Sequence, residues 1–285
     1  MKQNIAIITD SCTDVPAELI EKYGIYVIPV IVQYADKAYL DRVDISEEDV
    51  YARLSKEVPT TSLPTPEYIL NTFDRIVADG YKQAVVVTMS ANLSGTFNTI
   101  RLLAEEYEGL DIATLNTKNI GIGAGFSVIA AAELAAKGAT KDEIVAKVSA
   151  SIEQTKVFFS LKTLDYLRKG GRIGLVTGII GNVLNIKPVI SCNDEGVYYT
   201  VKKSRGVKQS LADVIKFSRE FAEQLGDYNI AVCDGDSPEE AQMILSKVKE
   251  YFPNAKNVYH THVSPALVVH TGPGLIGIGI QKLVD

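Results

Sequence analysis

The chain has 285 residues, of which 46% are hydrophobic and 22% charged, and a formal net charge of −6. That length suits about two domains, each able to build its own core, and the composition excludes long disordered tails. The acidic balance disfavours general nucleic-acid binding, because a phosphate backbone selects basic surfaces.

The opening segment, MKQNIAIITDSCTD, reads as a strand entering a turn. It lacks the long apolar core and small-residue cleavage site of a secretory signal. No run of about eighteen uncharged apolar residues follows, so neither a transmembrane helix nor stable membrane insertion is expected. Cys12, Cys192 and Cys233 are widely spaced and fit no zinc or redox pattern, which points to a reducing, cytoplasmic setting. His260 and His262 would share one face of a strand but lack further credible ligands in the sequence, so no metal is expected.

Asn4 to Thr9 predicts a strand, followed by a loop and a helix beginning near Pro16. Tyr26 to Gln33, Gln83 to Met89 and Asp111 to Leu115 read as strands, and Gly123 to Lys137 as an Ala-rich helix. Near-continuous apolar strands followed by helices indicate a parallel sheet covered on both faces. Ligand loops then belong at the carboxyl ends of its strands. A helical pattern over Lys141 to Thr155 leads to a second domain, giving an expected division into 1–156 (α/β/α, parallel sheet) and 157–285 (α+β, mixed sheet). There, KPVISC, GVYYTVKK, YNIAVCDGD and NVYHTHV read as strands, as does the end of GPGLIGIGIQKL. Ser210 to Gln224 and the segment SPEEAQMILSKVKEY read as helices.

Six patterns are candidates for chemistry. Asp10-Ser11-Cys12-Thr13-Asp14 ends the first strand, but has neither the Asp-x-Asp of a phosphatase nor a Cys-x5-Arg cradle, so helix capping is its simpler use. In Thr60 to Glu67, Thr65 caps a helix with Pro66 at its first position; Thr61 and Ser62 are not needed for that and remain available. Ser90 to Asn98 follows a strand and opens a helix, and its hydroxyls with Gly95 and the free helical N–H groups suit an anion. Gly121-Ile122-Gly123-Ala124-Gly125 resembles a dinucleotide loop, but Phe126 stands where the third glycine is required, so packing is the expected role. Arg168-Lys169-Gly170-Gly171-Arg172 lacks a P-loop pattern; it is either a solvated helix end or a grip for phosphate or an acidic partner. His270-Thr271-Gly272-Pro273-Gly274 is expected to end a strand and enter a tight turn, where the glycines permit close approach to a ligand.

Taken together, T-D-S-x-x-D at Thr9 to Asp14, T-S-x-P at Thr61 to Pro64, S-x-x-L-S-G-T-F-N at Ser90 to Asn98, L-R-K-G-G-R-I at Leu167 to Ile173 and H-T-G-P-G at His270 to Gly274 resemble the DegV family. Leu63 stands where many members carry Gln, and Asn116-Thr117-Lys118 where Asp-Thr-Lys is common. The resemblance implies a non-enzymatic carrier with a long-chain fatty acid in a tunnel between its two domains and no cofactor. By position it implies carboxylate contacts from Thr61 and Ser94, with Ser62 and His270 beside them. Supporting loops would supply Asp10, Ser11, Gly95, Thr96, Asn98, Thr271 and Gly272. Tunnel residues would include Ile179, Ile180, Val183, Leu184 and Ile186. It further implies that a separate fatty acid kinase makes an acyl-phosphate on the presented lipid, with Arg172 and Arg205 on the docking side, and that the carrier is a monomer. Two other readings stay open: a substrate-binding subunit like that of dihydroxyacetone kinases, and a regulatory module with lipid as structural filler. The first is weakened by the lack of a nucleotide loop.

Overall fold

The computed structural model describes residues 5–179 and 185–284. The chain opens with β1 (Ile5–Asp10), a 3-10 turn at Ser11–Thr13, α1 (Ala17–Tyr23) and β2 (Tyr26–Ile28). It continues through β3 (Ile31–Gln33), β4 (Ala38–Leu40), α2 (Glu47–Arg53), β5 (Thr60–Ser62) and α3 (Pro66–Ala78). Then come β6 (Gln83–Thr88), α4 (Thr96–Glu106), β7 (Asp111–Asn116), α5 (Ile122–Ala136) and α6 (Lys141–Ile152).

Strands β2-β1-β6-β7 form an all-parallel sheet in that order. The segment Tyr26 to Gln33, expected as one strand, is two. Pro29 lacks the N–H that a ladder needs, and the chain leaves the parallel sheet there, so β3 pairs antiparallel with β4 and β5 in a separate three-stranded sheet. That small sheet holds β5, and with it Thr61 and Ser62, beside the larger one.

The second half comprises β8 (Thr155–Ser160), α7 (Asp165–Lys169), a 3-10 segment at Gly174–Ile179, β9 (Ile186–Cys192), β10 (Tyr198–Arg205) and α8 (Val207–Ala222). It ends with β11 (Tyr228–Gly235), α9 (Pro238–Ser246), α10 (Val248–Tyr251), β12 (Ala255–His262), α11 (Pro265–Thr271) and β13 (Leu275–Lys282). Its sheet runs β10-β9-β8-β13-β11-β12; every pairing is antiparallel except β11 with β12. A parallel-sheet domain and a mixed-sheet domain are thus both present.

Three differences from the sequence reading have local causes. The helical pattern over Lys141 to Thr155 stops at Ile152, and Thr155 already begins β8. The segment after Ser237 is two helices, α9 and α10, meeting at Lys247. The third concerns His270, which ends a helix and not a strand: Ser264 caps α11 by accepting the Leu267 N–H, and Pro265 takes the first position.

Helix α5 joins the two halves. Thirteen of its residues are buried, from Ile122 to Ala135, as expected for a helix that is apolar all round. Phe126 packs in one core with Val85 of β6 and Phe159 of β8. The glycines in the first turn of α5 act in packing: a β-carbon on Gly125 would stand 2.3 Å from the Thr13 carbonyl oxygen. Among the described residues no helix is long and apolar enough to cross a membrane.

Candidate functional site

In the parallel sheet, β1 connects outward to β2 on one side and β6 to β7 on the other. The chain therefore diverges outside the carboxyl ends of β1 and β6, the place where open α/β sheets receive ligands. One buried carboxylate ties the two loops together: Asp10 accepts the Cys12 N–H through Oδ1 and the Met89 N–H through Oδ2, both at 2.8 Å. Burial pushes its carboxyl up to about 7 against the pull of those two donors. Ser11 accepts the Val30 N–H at 3.1 Å. Both residues hold the loops and leave the lining to Cys12, Val30 and Met89.

The loop after β6 divides its hydroxyls. Ser90 is buried and donates to the Gly196 carbonyl at 2.8 Å, engaging the β9–β10 hairpin of the other domain. Ser94 is half-buried and lies 2.9 Å from the Thr96 hydroxyl, whose N–H it also accepts at 3.3 Å. Gly95 precedes α4, and a β-carbon there would stand 3.2 Å from Leu63 Cδ1. Thr96 is buried; Asn98 is exposed and does not line the cavity.

From β5, Thr61 reaches the end of α11. Its Oγ1 lies 2.8 Å from His270 Nε2. His270 Nδ1 has no hydrogen-bond partner among the described residues. Burial, helped by the charge of Arg172, lowers the His270 pKa to about 4, so the ring is neutral near pH 7. Thr65 caps α3 through the Tyr68 N–H, as the sequence implied, which leaves Thr61 free of that duty. Thr271 donates to the Leu267 carbonyl at 3.0 Å, and Gly272 is the residue on which α11 ends.

These groups surround a cavity of about 190 Å³ whose polar lining is Thr61, Ser62, Ser94, Arg172, His270 and Thr271. Its apolar wall is built from Met89, Leu93, Ile120, Tyr198 and Leu267. An adjoining apolar chamber of about 30 Å³ shares Ile120, Tyr198, Leu267 and Thr271 and runs on to Phe159 and Leu275. A second cavity of about 180 Å³ shares Thr61, Arg172 and His270 with the first and also includes Thr60 and Lys169. Arg172 is fixed there by donating from Nη1 to the Gly170 carbonyl at 2.7 Å.

The structure therefore brings together Thr61, Ser62, Ser94, Arg172, His270 and Thr271. Arg205 stands exposed at the end of β10, outside the described lining. Of the expected tunnel residues, Ile180, Val183 and Leu184 lie outside the described residues, as does the side chain of Ile179; Ile186 is half-buried in β9. The sequence reading missed Cys12, Val30, Met89, Leu93, Ile120, Tyr198 and Leu267 as lining. The signal was partly there, since Met89 and Tyr198 stand at strand ends, but apolar residues at such positions do not announce which face they turn. It also missed a group on the mixed sheet: Asp234 lies within reach of both His260 and His262.

A family model described as "Uncharacterised protein, DegV family" matches residues 4–283. A DegV domain-containing protein of Clostridium perfringens is 40% identical over 280 residues, covering 98% of this chain and 99% of that one. A solved structure described as fatty acid binding of a DegV family protein from Thermus thermophilus superposes with a TM-score of 0.91 at 26% identity, covering 98% of this chain and all of the other. A stearic acid-binding protein from Eubacterium ventriosum gives 0.88 at 25% identity, covering 99% and 98%.

Proposed function

We propose that this chain, which belongs to the DegV family, is a monomeric cytoplasmic carrier that holds one long-chain fatty acid and presents its carboxylate to a separate fatty acid kinase. The observation that carries this reading is that Thr61, His270 and Arg172 line both a largely apolar cavity and a second cavity that includes Lys169. The relatives described as binding fatty acids support the ligand class. The three cysteines are free and buried, in keeping with a reducing compartment.

An acyl chain of about fifteen methylenes, at ~0.8 kcal/mol each, supplies roughly 12 kcal/mol of gross driving force. Association and ordering subtract a sizeable share of it. The head group then meets neutral donors. With His270 uncharged and Nδ1 unpartnered, the tautomer protonated at Nε2 avoids a buried orphan N–H. His270 Nε2 then donates to Thr61 Oγ1, and the Thr61 hydroxyl hydrogen turns to a carboxylate oxygen. Ser94 supplies a second hydroxyl. Such donors hold a carboxylate less firmly than a bidentate arginine would, which suits a group that must next attack a phosphorus. In that step a carboxylate oxygen bonds to the γ-phosphorus of the kinase's ATP, the bridging P–O bond breaks, and ADP leaves with the electron pair. Arg172 and Lys169 stand on the side from which the phosphoryl group approaches.

Extraction of protein made in bacteria, followed by mass spectrometry, tests the reading. A saturated or monounsaturated acid of about sixteen to eighteen carbons is expected, the length for which the burial term above is large. Lipid-free protein that takes up no fluorescent fatty acid would rule the carrier out, and a covalent triose adduct would favour the dihydroxyacetone-kinase-like subunit.

A further inference from the structure

The two exposed histidines of the chain converge on one buried carboxylate, away from the cavity that holds the third. In the parallel β11–β12 pair, Asp234 stands opposite His262 and Val232 opposite His260. Because alternate residues of a strand share a face, Asp234, His260 and His262 all project from the same side of the sheet. Asp234 Oδ2 is 2.8 Å from His260 Nε2 and 3.3 Å from His262 Nδ1. The three groups each offer one ligand atom, and these atoms all lie within 4.8 Å of one another.

The geometry points to a binding site for a single divalent transition-metal ion, held by Asp234, His260 and His262, with its remaining positions open to water. An ion at about 2.0–2.2 Å from imidazole nitrogen and carboxylate oxygen keeps neighbouring ligand atoms roughly 3–3.5 Å apart. The two observed separations from Oδ2 need only small side-chain movements to reach that range. The carboxylate is held from behind, since Asp234 Oδ1 accepts the Ser237 N–H at 3.3 Å, the kind of support that orients a metal ligand. Access is one-sided: the Asp234 side chain is 3% exposed, against 38% and 55% for His260 and His262. An ion can therefore enter from solvent and settle on a fixed anion.

Donor chemistry sets the class. Two imidazoles and one carboxylate suit zinc, cobalt or nickel, whereas calcium and magnesium call for oxygen ligands throughout. The surrounding charge permits it. Arg42, the cation that reaches this strand, donates to the His262 carbonyl at 2.7 Å and is paired with Asp14 at 3.1 Å. Thr261, between the two ligands, points to the opposite face and donates to the Asp14 carbonyl. A bound ion would cross-link β12, an edge strand of the mixed sheet, to β11 at the point where β12 meets the N-terminal domain. This inference does not depend on the fatty-acid reading.

The test uses tag-free, full-length protein stripped with chelator, titrated with ZnCl2 by calorimetry and with CoCl2 by visible absorption. One ion per chain is expected, with a rise in Tm on binding, because a ligand of the folded state stabilises it. His260→Gln and His262→Gln should each weaken binding by at least about tenfold, and the double variant should abolish both the cobalt spectrum and the Tm shift. Asp234→Asn, which keeps the size and the Ser237 contact of the buried group, should weaken it similarly while circular dichroism stays unchanged. Absence of binding to the stripped wild type, or equal binding by the double variant, would overturn the site and leave the three groups as a hydrogen-bonded cluster.

Discussion

Thr61 and His270 lie 209 positions apart in the chain and meet through one 2.8 Å contact between Oγ1 and Nε2. The contact joins the small sheet of the N-terminal half to α11 of the C-terminal half, so the proposed head-group site is assembled only in the folded protein. Thr61→Val keeps the shape and removes the hydroxyl. It should weaken fatty-acid binding by ~1.5–3 kcal/mol, the range for a bond to a charged acceptor, while Thr61→Ser retains most of the affinity. Ser94→Ala should show a loss of the same order. Displacement titration with a fluorescent fatty acid measures both, and wild-type affinity in the two variants would remove these residues from the head-group site.

The neutral His270 gives a pH signature. Its folded pKa of about 4 lies below the ordinary value of 6.5, chiefly because burial disfavours the charged ring. Between those values the unfolded chain binds a proton that the folded chain does not, so stability is lost as pH falls from 6.5 towards 4. The whole effect is worth about 3 kcal/mol. Asp10, raised to about 7, acts in the opposite sense over its own range. The difference between wild type and His270→Gln therefore isolates the histidine. Urea unfolding of delipidated protein at pH 7 and pH 4.5 should show the wild type losing ground against the variant on acidification; a constant difference would mean that the ring is not buried as described.

Gly170 sets the room available to that ring. A β-carbon at position 170 would stand 2.1 Å from His270 Nδ1, whereas one at Gly171 would meet nothing within 4 Å. Gly170→Ala should displace the imidazole, break its contact with Thr61 and cost about 1–3 kcal/mol, as overpacking does. Gly171→Ala carries only a backbone cost, since its φ is +72, and should leave fatty-acid affinity unchanged. Thermal unfolding and lipid titration of the pair separate space from backbone strain.

Sequence patterning revealed the parallel sheet because its strands are apolar on both faces: all six residues of β1 are buried. It also singled out Thr61, which lines the cavity, since capping by Thr65 explained the neighbouring residues and left this hydroxyl over. It did not reveal that Ser90, from the same motif as Ser94, is engaged by Gly196, because a bond across 106 positions has no local signature. The strand expected at His270 is a helix for a similar reason. Val268, Val269 and Thr271 are β-branched, which favours strands, and the Ser264-Pro265 start carries the helical signal. Asp234 escaped notice beside His260 and His262 because parallel strand pairing, not sequence spacing, brings it there.

Arg172 offers a test that separates the proposed carrying from the proposed transfer. Arg172 lines both cavities, and its guanidinium is held by the Gly170 carbonyl. It lines the cavity proposed for the lipid, so binding itself is not expected to be untouched by its loss. The apolar chain supplies most of the affinity, however, whereas the phosphoryl group gains charge only as it is transferred. An interaction made chiefly in the transition state lowers the rate at saturation more than it lowers affinity. Arg172→Ala, loaded to saturation with fatty acid, should therefore form acyl-phosphate at least about tenfold more slowly with a cognate fatty acid kinase and radiolabelled ATP. Arg172→Lys should recover part of the rate, because the charge is kept and the planar fork is not. Neither variant nor the wild type should turn over ATP without the kinase. Turnover by the wild-type chain alone would overturn the carrier reading, and a variant whose loss of rate is fully restored by raising the lipid concentration would assign Arg172 to binding.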